Sequence, residues 1–225
     1  MPSATREDRA RALGYTGSLP LPPDLDRLML TVAQCQECKG DGLDTTGWAA
    51  SGGDPNASLV LIGESPGNEE RKQHRAFVGP SGALLDTALA HAGSSRDRVW
   101  VTNAVRCWLG VAGGTPAGDK GKLTTGPAPP TRRCARYWMQ ELVSVCPLRT
   151  LCLGRVSWEA VTGDKHPGLL GGLRGRWQYL SLPEWPGILF PVGFTYHPAA
   201  ALRDPEKYLG AIMQDVRWAW EECNQ

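Results

Sequence analysis

Leu59-Val60-Leu61-Ile62-Gly63-Glu64-Ser65-Pro66-Gly67 is the stretch whose reading decides the fold. Four apolar residues in succession stop at a Gly-Glu-Ser-Pro-Gly turn. An uninterrupted apolar run bounded by turn residues predicts a strand buried on both faces, as in a parallel sheet covered by helices. In open α/β sheets ligands sit just beyond the carboxyl ends of the strands. The loop from Gly63 to Gly67 therefore lies where a site is expected. It carries one carboxylate, Glu64, between glycines that let a backbone approach a ligand closely.

Working outward, three more runs read as strands: Val99–Val101 ending at Thr102-Asn103, Arg149–Leu153 and Ile188–Thr195. Helical spacing is found at Asp24–Ala33, Ser81–His91 (with Gly93 just past its end), Thr131–Val145 and Val156–Val161. Asp204-Pro205 starts the last helix as N-cap and first residue. Its buried stripe is Tyr208, Leu209, Ile212, Met213, Val216 and Trp220. Strands alternating with helices predict an α/β fold, one domain with a parallel sheet and helices on both faces. Residues 1–23 read as a Pro- and Gly-containing extension, residues 24–225 as the domain, and 108–130 as a long loop, functional or disordered.

The chain of 225 residues is 41% hydrophobic with a net charge of +1, normal for one folded domain and without a global bias towards nucleic acid. Charge is concentrated locally. Arg96 to Arg155 holds ten Lys/Arg against three Asp/Glu, about +7, which fits either a nucleic-acid face or a solvated surface. No apolar stretch is long enough to span a bilayer. Met1–Pro23 has no apolar core of a signal peptide, so a cytoplasmic protein is expected. In that compartment seven cysteines argue for metal or cluster ligation rather than disulfides.

Three polar motifs follow predicted strands: Gly63–Gly67, Thr102-Asn103 and Tyr196-His197-Pro198. A carboxylate, an amide and an imidazole at carboxyl strand ends should converge on one pocket, a set suited to gripping a polar heterocycle and managing charge on a reacting sugar or water. Singly, each has a structural explanation: a helix cap, a turn, a core histidine. Gly63-x-Ser65-x-Gly67 also matches the nucleophile elbow of serine hydrolases. There the residue after the serine donates its N–H to an oxyanion, and Pro66 has none. Phe77, one of three phenylalanines, stands at a loop-to-helix junction as a stacking platform or a packing residue. Cys35-x-x-Cys38 is a chelating pair, with Cys107 and Cys134 as candidate partners. Zinc sites repeat the short spacing, whereas 26 residues separate the second pair, which suits a bulkier iron–sulfur site. Cys146, Cys152 and Cys223 read as core thiols.

Taken together, Gly-Glu-Ser-Pro-Gly, Glu70, Phe77-Val-Gly, Thr102-Asn103-Ala-Val-Arg-Cys107 and Thr195-Tyr-His-Pro-Ala-Ala-Ala-Leu-Arg203 resemble family 4 uracil-DNA glycosylases, in the family's order from Cys35 to about Trp220. The resemblance implies a three-layer α/β/α sandwich around a four-stranded parallel sheet. It implies a [4Fe–4S] cluster on Cys35, Cys38, Cys107 and Cys134, and uracil-containing DNA as substrate. Glu64, Glu70 and His197 fall on catalytic positions. Gly63, Gly67, Phe77 and Asn103 fall on the uracil pocket, and Ser81, Pro198, Leu202 and Arg203 on the DNA-contacting segments. A monomer associated with the nucleoid is expected. Three features depart from the family: Arg71 where Asp is common, His74 where a small residue is usual, and a long Cys107–Cys134 interval. A related branch carries in that interval a histidine that bonds covalently to the abasic sugar. Here the interval has none, so no covalent trapping through it is expected. Two alternatives remain at this point: a non-catalytic or altered-specificity DNA-damage binder on the same fold, and an iron–sulfur electron carrier.

Overall fold

The Leu59–Gly63 run forms a strand buried at every residue in the middle of the sheet. The computed structural model describes residues 4–17, 19, 21–39, 45–108, 128–165, 170–183 and 185–224. The strands are β1 (Gly52–Gly53), β2 (Leu59–Gly63), β3 (Trp100–Asn103), β4 (Arg149–Leu153), β5 (Gln178–Leu182) and β6 (Trp185–Thr195), in spatial order β1-β3-β2-β4-β6-β5. The four central strands, β3-β2-β4-β6, are parallel, as expected. The two edge strands, β1 and β5, pair antiparallel and were not foreseen. β1 is two glycines, and most of β5 is exposed, so neither carries an apolar run that could announce it.

The helices are α1 (Arg6–Ala12), α2 (Leu25–Ala33), α3 (Asn68–Gln73), α4 (Pro80–His91), α5 (Pro130–Val145), α6 (Arg155–Thr162), α7 (Pro198–Arg203) and α8 (Pro205–Glu221). Caps set several of their starts. Asp24 accepts from the N–H groups of Asp26 and Arg27 at 2.9 and 3.1 Å, and Asp204 from that of Lys207 at 3.2 Å, with Pro205 as first residue of α8. The three short helices α1, α3 and α7 lack an apolar stripe long enough to read from sequence.

Successive residues of β2 face opposite layers, because side chains alternate across a strand. Val60 and Ile62 pack with Trp138, Leu142 and Val145 of α5 and Trp158 of α6. Leu59 and Leu61 pack with Leu85 and Leu89 of α4, Ala201 of α7, and Ile212 and Val216 of α8. These are the three layers. A third, smaller core joins Leu28 and Val32 of α2 to Val105, Cys107, Cys134 and Tyr137.

The segment read as an extension contains a docked helix. Arg9, fully buried, donates from Nε to the carbonyl of Cys146 (2.9 Å) and from Nη2 to that of Val145 (2.8 Å), and also bonds the Ala4 carbonyl. Arg6 reaches the Val143 carbonyl at 3.2 Å. Two guanidinium groups thus satisfy orphan carbonyls at the C-terminus of α5, where the helix dipole favours cations. Ala10 packs into the main core beside them. The 108–130 segment lies mostly outside the described residues, as does any role for it.

Candidate active site and cysteine pocket

Parallel register brings the three polar motifs to one edge. Gly63 pairs with Asn103, Ile62 with both Thr102 and Cys152, and Leu153 with Thr195, so β2, β3, β4 and β6 end together. Beyond the strands the pairing continues for two residues: Ala104 N–H donates to the Gly63 carbonyl and Val105 N–H to that of Glu64, both at 2.9 Å. The Glu64 loop is thereby pinned to the β3 exit, with Glu64 half-buried.

Gly63 is where the pocket is tightest. A Cβ there would overlap the Phe77 ring and come within 2.5 Å of Asn103 Oδ1. Ring, amide and glycine backbone are therefore in mutual contact. Asn103 is 3% exposed, and its Oδ1 is buried without a hydrogen-bond partner. A buried acceptor left bare is costly, so it marks a place where a ligand donor is expected. Phe77 is buried and held at φ 56°, a left-handed conformation unusual for a non-glycine residue.

His197 caps the N-terminus of α7: its Nδ1 accepts from the Ala199 N–H at 3.1 Å. An accepting Nδ1 leaves the ring proton on Nε2, so the neutral imidazole is a donor through that nitrogen. The His197 and Phe77 rings are inclined by 29° with centroids 6.3 Å apart. Gly154, at φ 98°, gives His197 its place; a Cβ there would stand 2.8 Å from that of His197. The Thr195 hydroxyl just before it donates to Asp215 at 2.6 Å, and Asp215 is itself held by Arg174 at 2.7 Å.

Glu70, the second carboxylate expected at the site, is held by backbone amides. It is 8% exposed, and both oxygens accept backbone amides: Oε2 from Gly67 at 3.0 Å, Oε1 from Gly79 at 2.8 Å. Gly67 and Gly79 are the N-caps of α3 and α4 and lack side-chain oxygens of their own. One carboxylate thus caps two helices and closes the loop that carries Phe77. The Gly-x-x-Glu spacing of Gly67 and Glu70 is the backbone half of a capping box, the signal that sequence reading passed over. Of the residues expected to contact DNA, Ser81 lies in the first turn of α4 and Pro198 is buried at the first turn of α7. Leu202 and Arg203 are exposed at the end of α7.

The four cysteines come from the segment that follows α2, the β3 exit and α5, and all line one pocket together with Thr45, Arg106, Arg133, Arg136 and Tyr137. Burial, then the three neighbouring thiols, pushes the Cys107 thiol up to about 12. Burial likewise takes Cys134 to about 11, with the Arg106 backbone amide opposing. Among the described residues no three His, Cys, Asp or Glu side chains close on a single-ion site. Cys146, Cys152 and Cys223 are buried elsewhere, as expected.

A buried ion pair borders this pocket, since Arg106 lines it. Arg106 meets Glu141 at 3.1 Å, with the two side chains 2% and 0% exposed. The Ser51 hydroxyl donates to Glu141 at 2.6 Å, and Arg106 also bonds Ser51 (2.5 Å) and Thr102. Sequence reading missed this pair, because nothing in the spacing of 106 and 141 links them. Arg106 therefore touches the strand carrying Asn103 through its side chain and Cys134 through its backbone.

A mostly parallel α/β/α sandwich with polar loops gathered at its strand ends defines the class. The uracil DNA glycosylase superfamily model matches residues 50–223, and the chain belongs to that superfamily. It is 28% identical over 184 residues to a type-4 uracil-DNA glycosylase of Pyrobaculum aerophilum, covering 81% of this chain and 86% of that one. Similar relatives of the same description occur in Archaeoglobus fulgidus (27%, covering 81% and 85%) and Sulfurisphaera tokodaii (29%, covering 80% and 77%).

Proposed function

We propose that this chain excises uracil from DNA, cleaving the N-glycosidic bond with water and leaving an abasic site. The observation that carries the reading is the bare, buried Asn103 Oδ1 against Gly63 and the Phe77 ring. Uracil offers a donor at N3 and an acceptor at O4, which an amide meets with Oδ1 and Nδ2. Cytosine presents the reverse pattern and would leave both amide groups mismatched, a strong basis for rejection.

Flipping the nucleotide costs a few kcal/mol of unstacking. Phe77 stacks on the extruded base, and Leu202, exposed at the tip of α7, fills the space it leaves in the helix while Arg203 meets a phosphate. Ser81 and Pro198 flank the strand. The neutral His197 donates from Nε2 to the carbonyl oxygen on which the departing uracil anion gathers charge. This is stabilisation aimed at the transition state, with the tautomer fixed in advance by the helix cap. Glu64 orients the attacking water or steadies the cationic sugar. Glu70 acts as a positioning residue that holds the Phe77 loop. No step calls for a histidine in the 108–130 segment.

The same reading gives Cys35, Cys38, Cys107 and Cys134 a [4Fe–4S] cluster. Four cysteines that line one pocket, with Cys107 close enough to feel the other three thiols, supply the thiolate set such a cluster needs. When bound, the cluster supplies a rigid cross-link between α2, the β3 exit and α5 and takes no part in the hydrolysis. The chain would act as a monomer on nucleoid DNA in the cytoplasm.

The test is release of uracil from single- and double-stranded oligonucleotides, read as alkali-labile strand nicking. The expected result is release by the wild type, with Glu64→Gln and His197→Ala reduced by orders of magnitude at unchanged thermal stability. Binding of uracil-containing DNA without release would instead make this a damage-binding module.

A further inference from the structure

Arg71-Lys72-Gln73-His74-Arg75 runs from α3 towards Phe77 and carries three full cations and an imidazole in five residues. Lys72 is paired with Glu69 at 2.7 Å. Among the described residues neither Arg71 nor Arg75 has a carboxylate partner, and Arg75 is exposed. Cations left unneutralised at the edge of a pocket raise the local potential and attract an anion.

The loop is built on a stiff base. Ala50 N–H donates to the His74 carbonyl and Ala76 N–H to that of Ala50, both at 2.9 Å. His74 takes the left-handed conformation (φ 51°), stacks on Trp48 with centroids 4.5 Å apart, and bonds the Trp48 carbonyl through Nδ1 at 2.9 Å. The Arg71 guanidinium lies 3.9 Å over the Trp108 ring. Gly47 makes room for that stack: a Cβ there would stand 2.9 Å from Trp108 Cβ and 3.1 Å from Arg71 Cβ. A guanidinium already held in place loses little freedom when it meets a phosphate.

We propose that Arg71 and Arg75 form a phosphate-binding station that grips the backbone of the uracil-bearing strand beside the flipped nucleotide. Trp48, His74 and Trp108 are the base that aims them. The proposal rests on the uracil-excision reading and adds a sequence-independent grip to it.

The probe is a short single-stranded oligonucleotide carrying a tetrahydrofuran abasic analogue, followed by fluorescence anisotropy across a salt series. Each neutralised phosphate contact contributes about 0.7 to the slope of log K against log salt on single strands. Arg71→Gln and Arg75→Gln should each lower the slope by about that amount, and the double variant by about twice as much. The KM for uracil release should rise while kcat holds. Arg217→Gln, on α8 and paired with Glu221 at 2.7 Å, should keep the wild-type slope. A wild-type slope in the double variant overturns the proposal, even where its thermal stability falls. A reduced slope in a protein that releases no uracil would support the grip and sink the excision reading, so the two fail separately.

Discussion

Gly63 is the residue at which strand, ring and amide meet, and it gives the sharpest test of the pocket. Gly63→Ala places a methyl group into the Phe77 ring and against Asn103 Oδ1. It should lower kcat/KM for uracil release at least tenfold, about 1.4 kcal/mol of transition-state stabilisation. Unchanged kinetics would mean that the pocket lies elsewhere. Glu64 and Glu70 should separate cleanly. Glu70→Gln replaces one of two accepting oxygens by an amide NH2 group facing an N–H, at a cost of about 1–3 kcal/mol. Its expected signature is a lower Tm and a raised KM with the pH profile of kcat retained, whereas Glu64→Gln should lose rate and keep Tm. Glu64 is legible as a site residue from its loop, and Glu70 only through the family resemblance. That Glu70 also accepts from Gly79 was not legible, because Gly79 lies nine residues away, outside any local cap pattern.

At the scale of elements, the long amphipathic or fully apolar segments were readable and the short ones were not. β2 and β4 carry apolar runs that are buried and α5 and α8 carry helical spacing; on α8 Ile212 and Val216 are buried while Tyr208, Leu209, Met213 and Trp220 are half-buried. α1 has no such pattern: its anchors are two arginines whose partners are the carbonyls of Val143, Val145 and Cys146, more than 130 residues away. Arg9→Met should leave the Val145 and Cys146 carbonyls bare and lower stability by about 2–3 kcal/mol. For a chain of this length that is a fall in Tm of about 4–12 °C, measured by calorimetry. A Tm within a degree of wild type would show that α1 docks through Ala10 and its apolar neighbours alone.

At the scale of the whole molecule, the thiol pocket ties the periphery to the site. Cys107 stands four residues after Asn103, and Trp48 bridges to Cys107 beside the turn at His74. Cys107→Ser should abolish the visible absorbance of the proposed iron–sulfur cluster. It should also lower Tm and weaken uracil release through KM, since the lost cross-link frees the β3 exit that fixes Asn103. Retention of absorbance with Cys107→Ser would remove that residue from the ligand set. The sequence by itself determined the parallel core, the three polar motifs at its carboxyl ends and the candidate cysteines, because buried strands and turn chemistry are local patterns. Only the tertiary structure decided how those residues divide their work. Register aligned Gly63 with Asn103, a helix cap fixed the His197 proton on Nε2, and burial paired Arg106 with Glu141. Those choices depend on which distant groups share a low-dielectric space, and no local spacing encodes that.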